Sequence, residues 1–150
     1  MSVSTDIKNH VIANIQTCSS VQKVYGHEEM NPTGWPSVMV TAGDMDGEFS
    51  SNAENSRIYA FRILILFPIG QNMPNQPAGT NRMEYAEQVV ATVIDEMINV
   101  FDTDFELAGS DATVLYVNAT DVAWQYTTYE GGEARSAELT LRVYTEKTVV

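Results

Sequence analysis

The side chains able to carry chemistry are few and scattered. The chain holds two histidines and one cysteine. His10 follows Ile7 by one helical turn, and His27 sits in a polar turn with Glu28 and Glu29. A metal site needs ligands that converge at a defined spacing. Nothing pairs these two, so both read as surface or packing histidines and no metal site is expected. Asp44-Met45-Asp46-Gly47-Glu48 matches a calcium loop only in part. The full pattern also needs a third ligand before the glycine and a glutamate six residues after it, where this chain has Ala53. The segment reads as a solvated acidic hairpin tip.

Ser19-Ser20 and Ser50-Ser51 lack a nucleophile elbow and an associated base. Gly131-Gly132 falls between strand patterns, where it marks a hairpin and not a phosphate loop. The carboxylate pairs Glu84/Glu87 and Asp102/Asp104 fall on a helix face and in a loop, as solvated charge does. Asn118-Ala119-Thr120 is a glycosylation sequon, which matters only in a secreted chain. Cys18 has no partner for a disulfide and lies in a helical pattern, so it reads as a small buried apolar side chain. The expected sets of catalytic, cofactor-binding and metal residues are therefore empty, and the chain is not expected to be an enzyme.

Charge says more. Twenty acidic residues against eight basic ones give a net charge of −12. Gripping a nucleic-acid backbone takes Lys and Arg against phosphates, and no segment concentrates them. Binding to DNA or to an anionic membrane is disfavoured, whereas letting DNA slide past is compatible with like-charge repulsion. No run approaches the ~18 apolar residues of a membrane span. The sequence also lacks the basic start and apolar stretch of a secretory signal. The cytoplasm, or an assembly built there, is the expected location.

Two of the scarce cations, Arg57 and Arg62, lie on one strongly apolar strand pattern, residues 57–67. Tyr59, Phe61, Ile63, Ile65 and Phe67 make one face of it; Ile58, Ala60, Arg62, Leu64 and Leu66 make the other. An antiparallel sheet usually leaves one face polar and wet. Two apolar faces, with helices enough for only one, suggest that another subunit covers the second. A loop of the same chain is the plainer alternative. Arg57 and Arg62 point to opposite faces and cannot serve one site. Arginine's planar fork suits carboxylates of a neighbouring chain.

The surrounding elements follow from periodicity. Ile7, Val11, Ile12, Ile15 and Cys18 share a helical face over residues 5–21, with Thr5 or Ser4 as the cap and Asp6 in the first turn. Residues 21–25 form a short β run, and 27–36 a turn-rich stretch. Val38, Val40 and Ala42 alternate with polar neighbours as a half-buried strand. Residues 43–55 read as a loop or hairpin tip, and 70–79 as a flexible loop. Met83, Ala86, Val90, Val93, Ile94, Met97 and Phe101 stripe a second helix over 81–101, with Asn81 as cap and Glu84 three residues on. Residues 112–128 predict one long strand, or two broken near 118–121. After the glycine turn, Ala137, Leu139, Leu141 and Val143 alternate as a closing strand. The expected fold is α+β, one domain over residues 1–150. Its order is α-β-β-β-α-β-β, and its antiparallel-dominated sheet of about 4–6 strands carries both helices on one face.

With these residues laid out, the chain resembles the tail terminator (tail-to-head joining) proteins of long-tailed bacteriophages. The resemblance rests on the first helix leading into Val21-Gln22-Lys23-Val24-Tyr25, and on Gly34-Trp35-Pro36-Ser37-Val38 as the start of a strand. It rests also on Asn55-Ser56-Arg57-Ile58-Tyr59-Ala60-Phe61-Arg62-Ile63 as a long third strand, and on the helix around Ala86-Glu87-Gln88-Val89-Val90. It implies a structural virion protein assembled in the bacterial cytoplasm. Such a protein forms a ring, usually a hexamer, that caps the tail tube, stops its polymerisation and offers a surface to the head-completion or neck protein. DNA passes through the lumen without specific binding. The second apolar face of residues 57–67 is the expected source of the subunit contacts: Ile58, Arg62, Leu64 and Leu66, with Arg57 and Trp35. Another neck or tail-completion protein of the same fold is the alternative, and a small α+β ligand-binding protein or enzyme the alternative from a different class.

Overall fold

The computed structural model describes residues 2–49, 54–70, 73, 76–108 and 114–148. Two helices pack on one face of a five-stranded sheet, in the chain order expected from sequence. Helix α1 spans Val3–Gln16, and Ser2 caps it by accepting the Thr5 amide at 3.0 Å. The cap thus lies before the Thr5 or Ser4 expected. The helix also stops short of Val21, because the Thr17 hydroxyl donates back to the Asn14 carbonyl (2.6 Å) and the next residues turn toward the second helix. Strand β1 (Lys23–Tyr25) pairs parallel with β2 (Ser37–Phe49), so these neighbours in sequence are not antiparallel. Residues 26–36 carry the chain back between them, including a cis Trp35–Pro36 peptide.

Strand β3 (Glu54–Pro68) runs antiparallel to β2. The acidic stretch expected to be a loop is thus mostly strand. Continuous pairing with β3 supplies the backbone partners that its polar side chains do not advertise, and the ladder absorbs one irregularity between Ala42 and Met45. The tip of this hairpin, 50–53, lies outside the described residues. Helix α2 (Arg82–Thr103) starts where the sequence placed it: the Asn81 side-chain oxygen accepts the amides of Met83 (2.9 Å) and Glu84 (3.2 Å). Strands β4 (Val114–Tyr129) and β5 (Gly132–Thr148) form the closing hairpin. β4 is one strand, with a register shift between Thr120 and Ala123, where Asp121 has φ +58°.

The sheet order is β1-β2-β3-β5-β4. Paired residues share a face, so one side of the sheet collects Val38, Val40, Phe61, Ile63, Ile65, Phe67, Leu139, Leu141 and Val143. All are buried against Ile7, Val11 and Ile15 of α1 and the expected stripe of α2 from Ala86 to Phe101; Met83, expected in that stripe, is exposed. Ala42, expected inward with Val38 and Val40, is exposed where β2 begins to bulge. Cys18 is buried in this core. Burial pushes its thiol up to about 11, with the Glu96 carboxylate adding to the shift. This one layer of helix on one layer of sheet leaves the sheet's other side to be accounted for.

Candidate interaction surface

That other side is built from the alternate residues of the same strands. On β3 they are Ile58, Ala60, Arg62, Leu64 and Leu66; opposite them on β5 stand Tyr144, Arg142, Thr140, Glu138 and Ser136. No helix among the described residues reaches this side. Its treatment differs along the strands.

At the end nearest the β4–β5 turn, the chain covers itself. Leu66, Met39 and Ala134 form a small buried cluster roofed by Tyr25, Trp35, Leu64 and Tyr129. The Trp35 and Tyr129 rings meet at 5.0 Å, and Glu130 donates its amide to the Met30 carbonyl (2.8 Å), which ties residues 26–36 to the hairpin turn. Leu66 is only 1% exposed. It was expected to meet another subunit, but the loop of its own chain already covers it.

Farther along, the face opens. Ala42, Gly43, Ala60 and Thr140 floor a shallow depression of ≈ 400 Å³ flanked by Arg62 and Arg142. The floor is small by necessity: a Cβ at Gly43 would stand 3.3 Å from the Ala60 carbonyl oxygen. Irregularities in β2 and β4 fall at this level and add local twist, which makes the face concave. Arg142 pairs with Asp121 at 3.2 Å. Arg62 is exposed and makes no ion pair among the described residues. Leu64 and Ile58 beside it are half-buried. Beyond them Tyr116 and Tyr144 stack at 4.3 Å. Arg57 lies on the helix side, opposite Arg62, as the alternation predicts, and Thr145 donates to its carbonyl at 3.1 Å.

Three features went unread in the sequence. Arg142 joins Arg62 only through the register of β3 with β5, which no local pattern reveals. Arg135 of β5 lies over the exposed rings of Trp124 (5.0 Å) and Tyr126 (4.5 Å) of β4 and donates to the Gln125 carbonyl at 3.1 Å. The alternation of Trp124 and Tyr126 with Gln125 and Thr127 was the available signal. Third, Glu96 of α2 accepts the Ser20 amide (3.0 Å), the Ser19 hydroxyl (3.3 Å) and, on its other oxygen, the Ser20 hydroxyl. Burial alone would raise this carboxyl, but the bonds from Ser20 and Ser19 together outweigh it and hold it below the usual glutamate value. The paired serines, which read as chemistry without a base, serve as the clasp between the end of α1 and α2.

His10 receives its setting from its own helix, Nδ1 standing 2.9 Å from the Asp6 carbonyl oxygen, and His27 packs edge-on against Tyr25. Among the described residues no three His, Cys, Asp or Glu side chains are grouped to hold a metal. Among the described residues no helix is long and apolar enough to cross a membrane.

No protein-family model matches this chain, and no curated protein does. Among solved structures, the chain is similar to one from the virion of a native gene transfer agent particle, at 16% identity and a TM-score of 0.47, covering 91% of this chain and 84% of that one. A likeness that remote carries no argument about function.

Proposed function

We propose that this chain is a structural subunit of a phage-type virion, a tail terminator that forms a ring on the end of the tail tube. In this reading the ring stops the tube's growth, presents a surface to the neck, and lets DNA through its lumen without binding it. The observation that carries the reading is the face bearing Ile58, Arg62 and Leu64. It is partly apolar and left open by the chain's own helices and loop, and it holds a cation without an ion-pair partner among the described residues. An arginine in such a setting suits a carboxylate from another chain, and a chain of net charge −12 offers many to its own copies. The sequence features shared with tail terminators support the same reading, and a strongly acidic subunit suits a conduit that must not hold its cargo. A neck or tail-completion protein of the same fold would use the same surface and differ only in its level along the axis.

The test is Leu64→Asp. Leu64 is half-buried and stands opposite Glu138 on β5. An aspartate there brings like charges together and places an unpaired charge in the contact, at a cost of several kcal/mol to assembly, on the order of 2–5. Light scattering with and without tail-tube ends should show assembly lost in a variant whose circular dichroism matches the wild type. Equal assembly of the two folded proteins would remove this face from the interface.

A further inference from the structure

The ends of the sheet matter as much as its face. With the order β1-β2-β3-β5-β4, the outer strands are β1 and β4. β1 is short: it pairs only with Ser37, Val38 and Met39 of β2. Beyond Met39, among the described residues, no strand pairs with the outer edge of β2, residues 40–49. On the opposite side of the sheet, no strand among the described residues pairs with the outer edge of β4. An unpaired strand edge is a row of backbone donors and acceptors ready to take another strand, and proteins usually blunt it with Lys, Pro or shortness. β4 contains neither Lys nor Pro and runs for 16 residues.

The two edges match in level. Following the registers across the sheet, Met39 is level with Leu64, Glu138 and Ala123, and Ser37 with Leu66, Ser136 and Gln125. The part of β2 covered by β1 is therefore level with the part of β4 where Arg135 reaches between Trp124 and Tyr126 to the Gln125 carbonyl. At this end β1 covers the β2 edge, and on β4 Arg135 packs over the Trp124 and Tyr126 rings. Both edges are open at the other, over residues 40–49 and 114–122, where Leu115, Tyr116 and Val122 are exposed at 44%, 45% and 37%.

The two edges also match in direction. β2, β3, β5 and β4 alternate without exception. Setting the β4 edge of one copy beside the β2 edge of the next continues that antiparallel alternation. Charge is compatible: residues 40–49 carry Asp44, Asp46 and Glu48 in sequence. The one acid on 114–122, Asp121, already faces Arg142.

We infer that copies of this chain join head to tail by strand addition, residues 114–122 of one copy pairing antiparallel with residues 40–49 of the next. Two different surfaces meeting in this way generate a ring when the rotation closes. The inference rests on the ring reading above and adds a second contact to it. The edges join neighbouring copies beside the contact already proposed for the Ile58–Arg62–Leu64 face.

Amide hydrogen exchange read by mass spectrometry compares the full chain as a dilute monomer and as the assembled species isolated by size. Slowed exchange on assembly is expected in peptides covering 40–49 and 114–122, and not in β1 or in 123–129. Val122→Asp, at an exposed bulge position, adds a carboxylate facing the acidic edge and should weaken assembly by about tenfold or more with the monomer's melt unchanged. An oligomer in which both segments exchange as in the monomer, or a folded Val122→Asp chain that assembles like the wild type, would overturn strand addition and leave the ring reading standing. A wild-type chain that stays monomeric at its highest soluble concentration and on tube ends would overturn both.

Discussion

Replacing Glu96 with Gln tests how the two helices are held to one another. In the native chain one carboxylate collects the Ser20 amide, the Ser19 hydroxyl and the Ser20 hydroxyl. Glutamine keeps the size and one acceptor oxygen, but it removes the charge and turns the second oxygen into a donor facing a hydroxyl. A hydrogen bond to a charged group contributes about 1.5–3 kcal/mol and a neutral one about 0.5–1.5, so three bonds losing their charge set a ceiling near 4 kcal/mol. Ser19 is exposed, and water takes over part of what the carboxylate gave it. About 1–2 kcal/mol is therefore the expected loss at pH 7, or roughly 2–8 °C in Tm for a chain of this size. The pH dependence has a definite sign. The folded Glu96 carboxyl lies below its ordinary 4.5, so its stabilisation is fully present above that value and is lost as pH falls through the lowered folded one. Urea unfolding followed by circular dichroism at pH 7 and at progressively lower pH should show the wild type ahead at neutrality and the gap narrowing in acid. Equal stabilities at pH 7, or a gap that persists undiminished below the folded pKa, would refute the clasp.

Two further outcomes follow from single side chains. Arg62→Ala should fold normally and weaken assembly by ~2–5 kcal/mol, because a carboxylate on the other chain loses its partner; the yield of correctly terminated tails measures it, and an unchanged yield would leave Arg62 a solvated side chain with its stem packed on Leu64. The Cys18 thiol, buried and pushed up to about 11, should resist iodoacetamide at pH 8 in the native chain and react promptly once the chain is unfolded. Prompt labelling of the native protein would show that the end of α1 opens readily.

Much of the fold could be read from local pattern. The closing strand's alternation put Ala137, Leu139, Leu141 and Val143 inward, and all four are fully buried. The stripe of α2 from Ala86 to Phe101 and its Asn81 cap are where their spacing put them, although Met83 at the first turn is exposed, and the two faces of β3 divide as expected. What could not be read depends on partners far away in sequence. Residues 43–49 look like a loop because they are acidic and small, yet pairing with β3 makes them strand. β1 looks like the start of a meander, but the chain returns through 26–36 to lay β2 parallel beside it. Leu66 has the alternation of an exposed face, and it is covered by Tyr25, Trp35 and Tyr129, which distant parts of the chain bring together. The same holds for the candidate surface: Arg62 was visible as a cation on an apolar strand, whereas the depression it shares with Arg142 exists only in the register of β3 with β5.

As proposed, this chain forms a ring which ends a tail tube. Negative-stain images of the purified protein, taken alone and after mixing with growing tail tubes, test it most directly. Rings seated on tube ends, and tubes that stop lengthening once capped, are the expected result. Tubes that lengthen as if the protein were absent, with bare ends and no ring in either sample, would contradict it.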